Sequence, residues 1–398
     1  MYDCIIIGAG PIGNYLGKQL ALAGLKILIL EEHPEIGVPV NCTGVIGKHA
    51  FDAFGLPEKG ILTSIKNVQY ISPSFNSVKI GKNDPWAYVV DRRIMDSELA
   101  GHARECGVEI RLNSKVIHVE EKKDSVSVSI EKGEILTAKS CVLATGSMSA
   151  LPYNLGFQKP WYFLKGAQIE SEIKISDLST VDIYIGEKLC GGDFIWIVPV
   201  SENKARVGIC SRFNAKNYLE SFLNKPFIKT RLLSGYSITQ GIIPIGGIEE
   251  KGKRYSRIFT VGDSAGHVKP TTAGGIALGL KTADILKQSI INICSLKNIE
   301  GISIKYYKSI RRTIGLELLL GDFFRKLFLK LKDPDWDAIV ELANDPKLLG
   351  LIKNKSDFDK HSKLILWALS NKQYRKIFLK NFNWRMLGYL KDIFALWV

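Results

Sequence analysis

Residues 3–31 read DCIIIGAGPIGNYLGKQLALAGLKILILE, and the pattern is strand, tight turn, helix, strand. Residues 4–7 form a short apolar run that is cut off at once by Gly8-Ala9-Gly10-Pro11-Ile12-Gly13. Leu16, Leu20 and Ala23 then recur at helical spacing up to Gly24, and residues 26–30 make a second apolar run closed by Glu31. The glycines of such a turn have separate tasks. Gly8 permits the sharp turn, Gly10 lets backbone approach a pyrophosphate, and Gly13 lets the helix pack close to the strand, with Pro11 part of the same turn. The unpaired N–H groups and positive end of the helix then hold phosphates without a basic side chain. Glu31 stands 18 residues beyond Gly13, where a carboxylate accepts hydrogen bonds from a ribose 2′-OH. The stretch predicts a dinucleotide-binding βαβ unit.

The remaining composition narrows the class. A chain of 398 residues with 46% hydrophobic and 24% charged residues can bury a substantial core in one large or two joined domains. Tyr2-Asp3 runs straight into the first strand, so no leader is expected, and no window of 18 apolar residues spans a membrane. The seven cysteines (Cys4, Cys42, Cys106, Cys141, Cys190, Cys210, Cys294) are scattered and form no CxxC pair. That usage predicts a reducing cytoplasm and speaks against a disulfide framework, a zinc site or a cysteine-bound iron–sulfur cluster. The net charge is +14, and residues 300–398 hold 19 Lys and Arg against 11 Asp and Glu. No nucleic-acid recognition motif accompanies the charge, which suits an anionic membrane surface, a phosphorylated substrate or a solvated lysine-rich face.

Along the chain, residues 32–47 form a Gly/Pro-punctuated loop with Cys42 near its end. Asp91-Arg92-Arg93 opens a helix that Gly107 closes, and residues 108–112, 116–120 and 125–130 alternate as strands. Residues 140–144 are a buried strand ending in Ala144-Thr145-Gly146. From about residue 151 to 243 strands dominate, which predicts an inserted antiparallel sheet. A buried strand at 257–261 and Gly262-Asp263-Ser264-Ala265-Gly266 follow, then a helix over 272–289 and amphipathic helices to the end. The expected fold class is α/β, a split Rossmann-type domain with an antiparallel β-sheet insertion and a C-terminal helical region. Residues 1–150 and 241–295 make the nucleotide domain, 151–240 the sheet domain, which residues 61–90 partly join, and 296–398 the helical region.

GAGPIG…E at 8–31, ATG at 144–146 and VGDSAGHVKPTTAGGI at 261–276 together resemble FAD-dependent oxidoreductases of the p-hydroxybenzoate hydroxylase fold. EEHPEIGVPVNCTG at 31–44, YVVDRRIMDSELAGHA at 88–103 and FIWIVPV at 194–200 are similar to the geranylgeranyl reductase family, which includes digeranylgeranylglycerophospholipid reductases. The resemblance covers roughly residues 1–300. It implies FAD as cofactor, held by Gly8, Gly10, Pro11, Gly13, Glu31, Cys42, Arg92, Thr145, Gly146, Gly262 and Asp263, with no metal. Gly274, Gly275 and Ile276 would start a helix against the flavin ring, where its N-terminal dipole stabilises negative charge. The family pattern YxWxFP…GxG is matched at Trp196, Pro199 and Gly208, whereas its tyrosine, phenylalanine and second glycine are Phe194, Val198 and Cys210 here. Phe194, Trp196 and Pro199 are the expected substrate wall.

The implied reaction saturates C=C bonds in isoprenoid chains of lipid precursors. An isolated trisubstituted alkene has no carbonyl to take up electron density, so a proton must reach one carbon as hydride reaches the other. The site must be apolar and dry and must hold a proton donor; Cys42 matches the family's cysteine and is the expected catalytic residue, with a water or the reduced flavin as the alternative acids. The electron donor is NAD(P)H docking transiently or a ferredoxin, since no second GxGxxG exists. His33 and His267 flank flavin motifs and are read as structural. Aromatic and basic residues interleave at 310–331 and 362–396, including Trp367, Trp384 and Trp397, which suits peripheral membrane contact of a cytoplasmic protein. The alternatives are a flavin-dependent monooxygenase or halogenase, although no counterpart of the halogenase lysine stands out, and a non-catalytic prenyl-binding flavoprotein.

Overall fold

The structure is a computed structural model that describes residues 1–131, 133–248, 255–296 and 298–380. The apolar runs at both ends of the opening stretch become the strands Tyr2–Ile7 and Ile27–Leu30, joined by the helix Pro11–Leu22, here α1. Residues 4–7 and 27–30 carry no polar alternation because both faces of these strands are covered, as in parallel sheets generally. On one face lie α1, α2 (Arg92–Glu105) and α3 (Ile276–Ser295), whose Leu16, Leu99, Leu280 and Leu286 meet Ile6 and Ile29. On the other face Ile5, Ile7, Leu28 and Leu30 pack with Val126, Val128, Phe157 and Tyr255.

This first sheet runs in the order Glu109–Arg111, Ile27–Leu30, Tyr2–Ile7, Ile135–Leu143, Val126–Ile130, Val116–Glu121. The long strand Ile135–Leu143 divides its free edge. Its first half takes Val126–Ile130 antiparallel, and its last three residues take Ile258–Thr260 parallel. The return strand thereby sets Gly262 and Asp263 beside Ala144 and Thr145, at the same end of the sheet as Gly8. α2 begins where expected, with Asp91 Oδ1 accepting from the Arg93 and Ile94 N–H groups at 2.9 and 3.1 Å.

The second sheet has the order Thr239–Ile245, Tyr162–Glu172, Lys204–Ser211, Phe194–Ser201, Thr180–Ile185, Asn67–Ile71, Ser77–Gly81. It is not purely antiparallel: Thr180–Ile185 pairs with Asn67–Ile71 in parallel. A hairpin forces antiparallel pairing, but more than a hundred residues separate these two strands, so no turn dictates their sense. Residues 61–90 also supply Ile61–Ile65 and Ala87–Val90, which form a small sheet with Val45–Gly47 between the two large ones.

The helix expected over 272–289 starts only at Ile276; residues 272–275 are loop, with Ala273 at φ +57°. The long helix α4 (Ile302–Phe328) departs further from expectation. Its Ile310, Ile314 and Leu318 enter the first core, and Leu320, Phe323, Phe324 and Leu327 enter a second core beneath the Phe194 edge of the second sheet. Glu317, Asp322 and Arg325 are buried as well, so most apolar side chains of 310–331 serve the interior, with Leu329 37% exposed. Ile365, Ala368, Tyr374 and Phe378 join the same core, while Trp384 and Trp397 lie outside the described residues. Among the described residues no helix is long and apolar enough to cross a membrane.

Candidate active site

The nucleotide turn sorts its glycines by contact. A Cβ on Gly8, which sits at φ +108°, would strike the Ala144 carbonyl oxygen, and one on Gly13 would strike the Gly8 carbonyl oxygen. A Cβ on Gly10 would meet no heavy atom within 4 Å. Gly10 is also the N-cap of α1 and supplies no side chain, so the first N–H groups of the helix face open space. That combination fits an anion, and a pyrophosphate in particular. Glu31 Oε2 accepts the Ala9 N–H at 2.8 Å, while Oε1 accepts the His33 N–H at 3.0 Å and lies 2.6 Å from His33 Nδ1. His33, set aside at the sequence level, thus orients the Glu31 carboxylate.

Two further polar groups at this end of the sheet lack partners. The Thr145 hydroxyl is buried without a hydrogen bond, and the Asp263 carboxylate has no donor among the described residues. Burial pushes the Asp263 carboxyl above its ordinary value, with the Arg92 charge pulling the other way. A Cβ on Gly275 would collide with the same carboxylate, so the start of α3 closes directly over it. A flavin with its ribityl hydroxyls would pair the buried Thr145 hydroxyl, which is costly to leave unpaired, and would give the Asp263 carboxylate a donor.

Cys42 and Arg92 arrive from different elements and meet here. Arg92, at the start of α2, forms a two-pronged pair with Asp96 at 3.0 and 2.8 Å and also reaches the Cys42 sulfur. Burial works against its charge, yet Asp96 and Cys42 hold its pKa above the ordinary value. The Gly44 N–H donates to Cys42 Sγ at 3.4 Å. Arg92 thus couples electrostatically to both Cys42 and Asp263, although residues 42, 92 and 263 share no local motif.

What fixes the Cys42 loop is Arg206, which the sequence reading missed. Arg206 is 8% exposed and comes from the second sheet; its Nη1 donates to the Thr43 carbonyl at 2.7 Å and to Val90 at 3.0 Å. Its Nε donates to Glu170 at 2.8 Å, and the Thr43 hydroxyl donates to Gln168 at 2.6 Å. No nearby pattern announces such a clamp, because its three partners lie 36 to 163 residues away. Arg206→Met should destabilise the protein by about 2–3 kcal/mol, leaving two buried carbonyls without a donor. Cys42 should then alkylate faster with iodoacetamide, and Arg206→Lys should restore part of its protection.

Phe194, Trp196 and Val198 alternate with Ile195 and Ile197, which face the helix Ala215–Leu223 instead. The rings of Phe194 and Trp196 are 6.0 Å apart, and Trp196 lies flat on Gly208, where a Cβ would clash with the indole. The Trp196 N–H is buried without a partner. Pro199 is a correction. It shares a face with Ile197 and borders a small cleft with Asp182 and Arg231, away from the Trp196 side. The strand period of two decides this, since an odd offset from Trp196 lands on the other face.

The flavin-side loop is tied down from the C-terminal region. Lys269 is buried and its ammonium donates to the Asp359 carboxylate at 3.0 Å and the Phe358 carbonyl at 3.1 Å. His361 Nδ1 pairs with the Thr271 hydroxyl at 2.5 Å. His267 is 4% exposed, and its Nδ1 meets the Thr282 hydroxyl at 3.0 Å. That hydroxyl donates to the Gly279 carbonyl, which leaves its oxygen to accept from an Nδ1–H. Burial drops the His267 pKa to about 3. A histidine so depressed stabilises the fold above the unfolded value of about 6.5 and loses that contribution as pH falls through it. Urea unfolding should therefore show about 2 kcal/mol less stability at pH 5 than at pH 7 from this residue, and His267→Gln should lack that part of the slope.

The comparisons with known proteins agree with this architecture. The family model described as "Lycopene cyclase protein" matches residues 3–339. A digeranylgeranylglycerophospholipid reductase of Methanocaldococcus jannaschii is 30% identical over 87% of this chain and 91% of its own. The enzyme of that name from Methanosarcina acetivorans is 27% identical over 93% and 95%. Among solved structures, a geranylgeranyl bacteriochlorophyll reductase-like protein of Thermoplasma acidophilum has a TM-score of 0.81 at 23% identity, covering 95% of this chain and 98% of that one. Halogenase PltM shares the fold with a TM-score of 0.70 at 14% identity, covering 99% and 95%. The chain belongs to the geranylgeranyl reductase family and is an FAD-dependent oxidoreductase related to the digeranylgeranylglycerophospholipid reductases.

Proposed function

We propose that this protein saturates isolated C=C bonds in the geranylgeranyl chains of lipid precursors. The observation that carries the reading is the electrostatic coupling of Arg92 to both Cys42 and Asp263 beside a nucleotide turn, with an apolar wall on the adjoining sheet. Gly10, the α1 N-terminus, Glu31, Thr145 and Asp263 would hold FAD, which when bound and reduced supplies the hydride. Everything else falls to the chain. Phe194, Trp196 and Val198, with Val181 and Ile183 of the next strand, would seat the prenyl chain and keep water out, so that positive charge developing on a tertiary carbon is not captured. Cys42 would deliver its Sγ proton to the less substituted carbon, and the Arg92 cation would stabilise the thiolate left behind. Asp96 would keep that guanidinium in place.

The relatives' names point to a digeranylgeranylglycerophospholipid as the substrate, with NAD(P)H or a ferredoxin restoring the reduced flavin. A halogenase reading draws only on the fold, and the buried Lys269 is already committed to Asp359. The test is anaerobic incubation of the dithionite-reduced holoprotein with a panel of geranylgeranyl alcohols, diphosphates and glycerophospholipids. Mass spectrometry should find products heavier by two hydrogens per bond reduced. A fully reduced flavin that leaves every compound unchanged would refute the proposal.

A further inference from the structure

The free edge of the second sheet carries a surface that neither FAD binding nor the reaction explains. Along the edge strand Thr239–Ile245, Ile242 stands opposite Lys165 and Pro244 opposite Phe163, while Lys165 stands opposite Ser211 on its other side. Directly opposed residues project from one face, and carrying the register two residues further sets Phe213 abreast of Phe163. The helix Ala215–Leu223 covers this face at Ala167, Ile169 and Ile209. At the uncovered end, Ile242, Phe163 and Phe213 are 40%, 37% and 66% exposed. Lys165 sits among them and Arg212 follows the strand end, its guanidinium 5.7 Å from the Phe213 ring and 5.4 Å from Tyr162. Neither cation has a carboxylate partner among the described residues. Elsewhere this face of the sheet is covered by the helix Ala215–Leu223, so this group of exposed apolar tips and unpaired cations is distinct from it.

We propose that this sheet edge docks the protein on an anionic lipid bilayer. Aromatic and aliphatic side chains flanked by cations suit an interface, with rings at headgroup depth and the charges on lipid phosphates. The surface also adjoins the candidate active site. The Tyr153 ring packs edge-on to Phe163 at 6.5 Å, and Tyr153 lies close enough to Asp263 to feel its charge. Asn41 of the Cys42 loop abuts Gly241 of the edge strand, and Val38 and Val40 on that loop are each 37% exposed. The apolar wall lies on the other face of the same sheet, so a lipid chain leaving a bilayer here would reach it by passing round the edge strand Thr239–Ile245. The purpose of the docking rests on the lipid-reductase reading, but the docking is measured without turnover.

The experiment is co-sedimentation of the FAD-loaded full chain with vesicles of neutral phosphocholine lipid, with or without one-third anionic phosphoglycerol lipid, at low and high salt. Binding should require the anionic lipid and fall with salt. The pair Lys165→Glu/Arg212→Glu should weaken it roughly thirty-fold, and Ile242→Ser/Phe213→Ser at least ten-fold. Lys372→Glu/Lys376→Glu, on the C-terminal helix, should leave it unchanged. All four edge side chains are outside the core, so flavin absorbance and melting temperature should stay at wild-type values. As a second measurement, Phe213→Trp should be quenched by brominated lipid. Wild-type protein left in the supernatant under both salts, or binding that survives both edge pairs, would overturn the proposal. So would a lipid-free dimer that the edge pairs dissociate, because the face would then belong to a second copy of the chain.

Discussion

Replacing Cys42 with alanine should leave flavin content and lipid binding intact while slowing reoxidation of the reduced flavin by a geranylgeranyl lipid about 100-fold or more. The physical ground is the asymmetry of the proposed step. An isolated alkene is a very weak base, and hydride has nowhere to go until a proton is within reach of the opposite carbon. The sulfur of Cys42 lies beside Arg92, whose charge is secured by Asp96 and favours the thiolate that proton transfer leaves. Cys42→Ser offers a weaker acid in the same place and should recover part of the loss. The decisive measurement is anaerobic stopped-flow, following flavin absorbance over a single turnover. An alanine variant with wild-type rates would make Cys42 a spacer in the loop and move the proton donor elsewhere. A second arm, Arg92→Met, should also slow the step. It should shift the pH profile as well, which a purely structural loss of the Arg92–Asp96 pair would not do.

Alanine substitutions at Gly10 and Gly13 should fail in opposite ways. A Cβ on Gly13 collides with the Gly8 backbone oxygen, and neither the strand nor the helix can retreat without opening the core around Leu16 and Ile6. Gly13→Ala should therefore destabilise the apoprotein by about 3 kcal/mol or more and lose flavin with the fold. Gly10→Ala meets nothing within 4 Å, so the apoprotein should melt as the wild type does. Its methyl group would instead stand in the pyrophosphate's place, and loss of one charge-assisted contact there should weaken flavin binding about 10- to 100-fold. Melting curves of the flavin-stripped variants and flavin titrations separate the two cases. Equal affinity in Gly10→Ala would show that the phosphates lie elsewhere.

How much of this was legible in the chain itself depends on how far apart the interacting residues are. The nucleotide unit is local: glycine conformations, a helix start and two apolar strands all fall within residues 3–31, so period and turn chemistry suffice to read it. The same holds for the Asp91 cap and for the bulky Trp196 facing a glycine, which spacing along a hairpin makes visible. Local pattern failed where burial reversed its usual meaning. The interleaved aromatic and basic residues of 310–331 suit a membrane contact by their spacing, yet Arg325 is paired with Asp193 and Asp322 accepts from Tyr162 inside the protein. An amphipathic pattern shows which side chains are apolar but not whether a partner waits for the polar ones.

By itself, then, the sequence determined that the chain builds a dinucleotide-binding α/β unit with a sheet domain and a helical end, because those features follow from short-range sterics and hydrophobic period. Only the tertiary structure decided which residues share the site. Arg206 reaching Thr43, Lys269 held by Asp359, His33 orienting Glu31 and the parallel pairing of Thr180–Ile185 with Asn67–Ile71 all came from it. Most of these depend on contacts between residues distant along the chain, and such contacts leave no periodic trace. His33 is a local case in which the residue type is compatible with several roles, and the packing around it selects one; the face of Pro199 follows from the strand period of two and was legible in the sequence.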